Sequence, residues 1–190
     1  MKIGLYFGSF NPVHAGHLII ANHVLNVSEI DKLWFIVSPQ NPFKKSASLL
    51  NEYNRLHLLS LATENDSRIK VSDIEFNLPR PSYTSVTLAH LQEKYPQHSF
   101  SIIMGSDSFQ NILNWKNADW IIQHYPFFIY KRPGFEVANN GKASVTILDA
   151  PLLELSSTQI RKFIKEGKSI RYMTPEKVVD EIEKGNYYRT

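Results

Sequence analysis

Short apolar runs alternate with longer amphipathic stretches along the first 150 residues of the chain. The runs have the length of buried strands, and the longer stretches repeat their apolar residues at helical spacing, as Leu18, Ala21 and Leu25 do. The predicted strands cover residues 2–7, 32–38, 68–72, 100–104, 127–130 and 145–148, and the predicted helices cover residues 16–27, 52–63 and 84–95.

Strands that alternate with crossover helices favour right-handed βαβ units and a mainly parallel sheet with helices on both faces. The fold class is therefore predicted as α/β and Rossmann-like, without a predicted strand order. Residues 151–190 hold two helices and no strand: one covers residues 156–166, and the other ends before Gly185. Thr174 is expected to be the N-cap of this last helix, with Pro175 at its first position. We expect one domain over residues 1–190, with an α/β core in 1–150 and a small helical cap in 151–190.

Composition excludes several classes of protein. None of the 190 residues is cysteine, which rules out a disulfide scaffold, a thiolate zinc site and a cysteine nucleophile. No apolar stretch approaches the roughly 20 residues of a membrane span. The N-terminus is too polar for a signal peptide, so we expect a cytoplasmic protein without a membrane partner. The net charge of +3 is a weak indication of anionic ligands, and it does not indicate a nucleic-acid partner.

The densest chemical signal is the segment GSFNPVHAGH at residues 8–17, which follows the first predicted strand and opens the first helix. Ligands of open α/β sheets bind at such a strand end, and a helix N-terminus attracts phosphate. Gly8 lets a backbone approach a ligand closely. His14 and His17 are three residues apart, so both can donate hydrogen bonds to one anion. The alternative is a turn with two packed histidines, and a metal site is disfavoured because no third ligand is nearby.

The segment from His14 to His17 resembles the HxGH signature of the nucleotidyltransferase superfamily. Within it, nearly the whole chain resembles the bacterial nicotinate-nucleotide adenylyltransferases. A second segment, LSSTQIR at residues 155–161, resembles the family's ISSTxIR signature. Hydroxyls and free N–H groups at a helix start can hold a phosphate, and the fork of Arg161 can point at the same anion. A plain Ser/Thr helix cap beside an exposed arginine is the alternative for this segment.

The resemblance implies roles for further residues. It assigns ATP binding to Gly8, Ser9, Phe10, Gly105, Asp107, Ser156, Ser157 and Thr158. It assigns the pyridine nucleotide to Tyr83, Thr84, Trp115, Lys116 and Arg132. His14, His17, Lys44 and Arg161 are implied as the catalytic residues that hold the phosphates. No metal ligand is assigned, since Mg²⁺ is expected to enter with ATP.

The implied reaction transfers AMP from ATP to nicotinate mononucleotide in NAD biosynthesis, by direct in-line attack without a covalent intermediate. It yields deamido-NAD and pyrophosphate. The chain departs from the family at Phe7, Ser9, Asn11 and Phe43, and its GSFNP string also resembles nicotinamide-nucleotide enzymes. The alternatives are therefore an adenylyltransferase for nicotinamide mononucleotide or another small molecule such as phosphopantetheine, and a non-catalytic nucleotide- or RNA-binding module. A homo-oligomer is compatible with the sequence, which does not fix the oligomeric state.

Overall fold

Six parallel strands form a single sheet in the computed structural model, which describes residues 1–40, 49–137, 142–151 and 153–189. The strands follow the order β3-β2-β1-β4-β5-β6 across the sheet. Their bounds are β1 Lys2–Gly8, β2 Lys32–Val37, β3 Ile69–Ser72, β4 Ser99–Gly105, β5 Phe127–Tyr130 and β6 Val145–Leu148. Each agrees with a predicted strand to within about one residue at either end.

Seven α-helices connect and follow these strands in the described residues. They are α1 Ala15–Val27, α2 Glu52–Thr63, α3 Thr84–Lys94, α4 Ser106–Phe109, α5 Ala118–His124, α6 Ser157–Lys165 and α7 Glu176–Lys184. Two short 3-10 helices cover Ile74–Asn77 and Ile112–Asn114. None of the helices in the described ranges has both the length and the apolar character that crossing a bilayer requires.

The sheet is buried on both faces. Successive strand residues point to opposite sides, and helices cover each side. In β2, Phe35 packs with α1, α2, α6 and α7 on one face, while Trp34 and Ile36 pack on the other face with α3, α4 and α5. The near-continuous apolar runs in the sequence reflect this double coverage. The three-layer arrangement confirms the predicted α/β, Rossmann-like class.

The strand order places a crevice at the carboxyl end of β1. This strand pairs with β2 on one side and with β4 on the other. Strands β1 to β3 therefore follow one another towards one edge of the sheet, and β4 to β6 follow one another towards the other edge. Ligands of open α/β sheets bind at such a switch point. The loops that follow Gly8 and Gly105 therefore face the same crevice.

The two C-terminal helices pack on the core of the sheet. Ile160 of α6 and Val178 and Ile182 of α7 are buried in the same apolar cluster as Leu58 of α2. The expected capping by Thr174 is corrected: Pro175 occupies the N-cap position, and the Thr174 hydroxyl donates to the Val13 carbonyl at 3.0 Å. The segment before α7 is thus attached to the loop that follows β1.

Candidate active site

Two adjoining cavities open at the switch point. One, of about 590 Å³, is called the histidine cavity, since His14 and His17 line it together with Asp107, Arg132 and Arg161. The other, of about 350 Å³, is called the tryptophan cavity, and its wall includes Tyr83, Thr84, Trp115 and Lys116. Phe7, Gly8, Ser9 and Ser108 line both cavities, so the end of β1 forms the wall between them.

The turn after β1 depends on Gly8 for a packing reason. A Cβ atom at Gly8 would lie 2.8 Å from the ring of Phe10. That ring is only 2% exposed, and Phe10 adopts a left-handed φ of 44° to place it there. The expected reason for the glycine was close approach to a ligand. That role stays a prediction, and the glycine in addition leaves room for the buried Phe10, whose ring packs edge-on against His17 with ring centres 5.1 Å apart.

The two histidines form a stacked pair at the start of α1. Their ring centres lie 3.7 Å apart with an interplanar angle of 28°. The backbone N–H of His14 donates to Nδ1 of His17 at 3.2 Å. Since this nitrogen accepts, a neutral His17 carries its proton on Nε2. Gly16 leaves room for the pair, because a Cβ there would lie 3.1 Å from the His14 ring.

His14 is neutral in the structure at physiological pH. Burial lowers the pKa of its imidazole to about 4, and the nearby positive charge of Arg132 acts in the same direction. Its Nδ1 is buried without a hydrogen-bond partner among the described residues. A neutral imidazole still donates one hydrogen bond, and an anion bound beside it would raise the pKa again. The site thus presents a neutral hydrogen-bond donor that becomes more basic when a polyanion binds beside it.

The start of α6 lies against the loop that follows β1. Ser156 caps the helix by accepting from the Gln159 N–H at 3.2 Å. Ser157 donates to the Pro12 carbonyl at 2.8 Å, and Arg161 donates to the Asn11 carbonyl at 2.8 Å. Two of the predicted anion-binding side chains therefore also hold the loop that carries the histidines.

The chain after β4 supplies a carboxylate, that of Asp107, to the histidine cavity. A Cβ atom at Gly105 would collide with Oδ1 of Asp107, so the glycine leaves space for this carboxylate. Asp107 caps no helix, since Gly105 holds the N-cap position of α4. Arg132 lies across the same cavity, where its backbone N–H donates to Oγ of Ser106 at 2.8 Å. The resemblance assigned Arg132 to the pyridine nucleotide, whereas the structure places it beside His14 and outside the tryptophan cavity.

The tryptophan cavity is aromatic and half-polar. Trp115 is half-buried in its wall, and the Lys116 ammonium lies 4.6 Å from the ring centre of Tyr83. Among the wall residues that sequence reasoning missed is the acidic Glu75, which is 2% exposed and accepts a hydrogen bond from Thr87 at 2.8 Å. Burial raises the pKa of the Glu75 carboxyl. An acidic residue between the apolar Ile74 and Phe76 was the only signal for it in the sequence.

The comparisons decide the family. A model of the cytidylyltransferase-like family matches residues 5–163, a range that includes both signatures. The chain belongs to the cytidylyltransferase-like family. It is 47% identical to a probable nicotinate-nucleotide adenylyltransferase of Flavobacterium johnsoniae, over 100% of both chains. It is 45% identical to the protein of the same description from Bacteroides thetaiotaomicron, over 94% of this chain and 89% of that one.

The fold agrees with a solved member of this group. A nicotinic acid mononucleotide adenylyltransferase of Plasmodium falciparum, complexed with NaAD, superposes with a TM-score of 0.84. The two share 23% identity, and the match covers 98% of this chain and 97% of that chain. The resemblance noted in the sequence is therefore confirmed at the level of family and fold.

The residues expected from the resemblance line one or the other cavity, except Gly105, which lines neither, and Lys44, which the structure does not describe. Lys44 lies in residues 41–48, outside the described residues. Every other residue of the two signatures that was assigned to the phosphates lines the histidine cavity. Among the described residues, no group of three or more His, Cys, Asp or Glu side chains is placed to hold a metal ion.

Proposed function

We propose that this chain is a nicotinate-nucleotide adenylyltransferase, which transfers AMP from ATP to nicotinate mononucleotide and releases pyrophosphate. The observation that carries the proposal is full-length identity near one half with relatives of that description. The geometry supports it, because a cationic cavity and an aromatic cavity share one wall at the switch point. A bisubstrate reaction between two nucleotides needs this kind of adjoining pair.

The histidine cavity suits a triphosphate. Two arginines and two histidines line it against a single carboxylate, Asp107, within the described residues. The N-termini of α1 and α6 both begin at its edge, and each adds the positive end of a helix dipole. We assign His17 to the α-phosphate and His14 to the adjoining phosphate chain. Ser156, Arg161 and Lys44 hold the β- and γ-phosphates.

The chemical step is an in-line displacement. A phosphate oxygen of the mononucleotide attacks the α-phosphorus of ATP, the bond to the bridging oxygen breaks, and pyrophosphate leaves with its electron pair. Since the second pKa of a phosphate monoester is about 6, the nucleophile is already anionic and needs no general base. His17 then donates from Nε2 to a non-bridging oxygen, where charge builds in the transition state. No covalent intermediate forms.

Mg²⁺ is proposed to enter as part of the ATP complex. The residues present fit this role, since the histidine cavity offers one carboxylate and no cage of ligands in the described chain. Mg²⁺ prefers phosphate oxygens and water in such sites and neutralises charge on the leaving pyrophosphate. The protein's part is to hold the rest of the phosphate charge with arginine and histidine donors.

The tryptophan cavity is proposed to hold the pyridine nucleotide. Trp115 offers a ring face for stacking, and Thr84 opens α3 with a free helix N-terminus. Lys116 adds a positive charge at the same wall, which favours a pyridine carboxylate over a neutral amide. The preference for nicotinate over nicotinamide rests on this charge.

We also propose that the enzyme works in the cytoplasm on these small molecules and binds no nucleic acid. The charges of the chain are interspersed, with 21 basic and 18 acidic residues, so no basic patch is concentrated for a phosphate backbone. A homo-oligomer stays a prediction, which sedimentation velocity would test.

A pyrophosphate-release assay tests the function. Purified protein with ATP and Mg²⁺ is given nicotinate mononucleotide, nicotinamide mononucleotide or phosphopantetheine, with a reaction lacking acceptor as the control. We expect the highest kcat/KM with nicotinate mononucleotide. A higher value with either other acceptor would reassign the substrate. ATP binding without release from any acceptor would instead support a nucleotide-binding module.

A further inference from the structure

Arg55 of α2 is a fully buried arginine that forms no ion pair with any other residue of the described chain. Its relative exposure is 0%. No carboxylate of the described residues lies within ion-pair distance of its guanidinium. Arginine is seldom fully buried without a paired charge, because removing the guanidinium from water costs several kcal/mol in typical proteins. The cost of burying Arg55 therefore indicates that its guanidinium has a specific role at this position.

The guanidinium donates only to main-chain carbonyl oxygens in the described structure. Nε donates to Leu50 at 2.8 Å, and Nη2 donates to Pro39 at 3.2 Å. Nη1 donates to both Ser9 at 2.6 Å and Ser38 at 2.9 Å. The planar fork thus joins the residue after β1, the two residues after β2 and Leu50, which precedes the N-cap of α2.

Ser9 and Ser38 form the wall behind which Arg55 lies. Ser9 lines both cavities, and Ser38 lines the tryptophan cavity. A further bond ties the same segments together, since the Leu50 N–H donates to the Asn11 side chain at 3.1 Å. Arg55 is therefore one residue removed from the site and contacts it through backbone alone.

The loop after β1 is held from two sides. Arg55 holds the Ser9 carbonyl from the α2 side. On the other side, Arg161, Ser157 and Thr174 hold the carbonyls of residues 11, 12 and 13. Because the loop ends at His14, its path sets where both histidine rings lie.

We infer that Arg55 is a positioning residue for nucleotidyl transfer: through its bonds to the Ser9 and Ser38 carbonyls it fixes the wall between the two cavities, and its positive charge, which forms no ion pair within the described residues, favours the triphosphate. The inference rests on the proposed function. The guanidinium stays protonated, because arginine does not lose its proton in proteins. A neutral side chain of equal size would fill the space and supply neither the fork nor the charge.

The test compares Arg55→Lys and Arg55→Gln with the wild-type chain. Lysine keeps the charge and loses the planar fork, while glutamine keeps an N–H donor and loses the charge. We expect kcat/KM to fall about 100-fold in Arg55→Gln, since small displacements of reacting groups have effects of this size. Arg55→Lys should recover ATP affinity, measured by titration calorimetry, more fully than kcat. Activities are expressed per folded molecule, from the amplitude of each unfolding transition.

Arg68→Lys is the matched control. Arg68 also makes several hydrogen bonds, to Asp66, Asn22 and Asn26, and it precedes β3 at the opposite, amino end of the sheet. This variant should keep the wild-type kcat and KM. Equal kcat, KM and ATP affinity per folded molecule in wild type and both Arg55 variants would reduce Arg55 to a structural role. Absence of turnover in the wild type would instead remove the proposed function, while the ATP affinities would still report on Arg55.

Discussion

The orientation of His17 is fixed by a contact that the sequence motif only hints at. Its Nδ1 accepts a hydrogen bond from the His14 backbone N–H, so a neutral His17 ring carries its proton on Nε2. The spacing of the two histidines in HxGH thus serves partly to bring them into contact with each other. The first histidine supplies the N–H that sets the tautomer of the second.

This geometry predicts different effects for two amide replacements of His17. The amide of glutamine reaches the position of Nε2, whereas that of asparagine reaches the position of Nδ1. We therefore expect His17→Gln to keep more of kcat than His17→Asn, which should lose about 100-fold or more, as other enzymes do on losing one such donor. Steady-state pyrophosphate release at saturating substrates measures both.

Calorimetric titration with ATP serves as the control for the His17 pair. Binding should survive in both variants, because the two arginines of the histidine cavity are unchanged. A His17→Asn enzyme that turns over as fast as His17→Gln would contradict the assignment of Nε2.

Glu75 predicts a pH-dependent stability. Burial raises the pKa of its carboxyl in the folded state, so the fold favours the protonated form. Its contribution is therefore fully present below the unfolded pKa of about 4.5 and is lost as the pH rises through the folded pKa. Glu75→Gln removes this loss. We expect the variant to gain stability relative to wild type as the pH increases from 4.5 to 8, by urea unfolding.

Glu52→Gln should change the stability in the opposite direction. Its own backbone N–H and the Arg80 side chain lower the pKa of the Glu52 carboxyl, so its contribution is present at neutral pH and lost on acidification. Both variants should therefore match wild type at low pH and diverge from it as the pH rises, Glu75→Gln towards higher stability and Glu52→Gln towards lower stability. Parallel curves for Glu75→Gln and wild type would show that the carboxyl titrates normally.

At the scale of elements, the sequence predicts what is local and periodic. Helix α2 matches its predicted bounds, since its apolar residues repeat over 12 residues. Helices α4 and α5 were not predicted, because 4 and 7 residues are too few to show a helical period. Thr174 was misread for a related reason: the Thr-Pro-Glu pattern fits a cap, while its hydroxyl is taken by a carbonyl distant in sequence.

The Thr174 bond predicts an effect of one helix connection on the site. Thr174→Val keeps the shape and removes the donor to the buried Val13 carbonyl. We expect a loss of about 1–3 kcal/mol in the free energy of unfolding, accompanied by a lower kcat/KM because the loop before His14 is less constrained. Urea unfolding and the pyrophosphate assay measure the two effects.

Thr63→Val is the matched control for that variant. Its hydroxyl is also buried and donates to a carbonyl, that of Leu59, but within its own helix and away from the site. It should affect stability less and kcat/KM not at all. Equal kcat/KM in Thr174→Val and wild type would disconnect α7 from the site.

For the whole molecule, the sequence predicts the layers and leaves the strand order open. Apolar runs such as that of β2 report double coverage, yet which strands are neighbours depends on contacts between distant residues. The histidines and the start of α6 were found because their motifs are short and contiguous. Arg55 and Glu75 were not, since a buried charge carries no period and its partners lie elsewhere in the chain.

The two-part division of the chain makes a prediction about folding. Removing residues 151–190 exposes the face of the sheet that Ile160, Val178 and Ile182 cover. Each such side chain contributes about 1.5–3 kcal/mol on burial, against a net stability of about 5–15 kcal/mol. We expect residues 1–150 alone to lack a cooperative unfolding transition by circular dichroism. A sharp transition would make the C-terminal helices a separate unit.

The loop that carries the histidines is held by residues that lie far later in the chain. Ser157, Arg161 and Thr174, which donate to the carbonyls of this loop, lie 145, 150 and 161 positions after the residues that they hold. Ribosomes release the N-terminal end first, so β1 and its loop emerge long before the groups that hold them. A nascent chain that stops before residue 157 would therefore carry both signature histidines and still lack a formed nucleotide site, and competence would arise only once residues 157–174 have been made and folded.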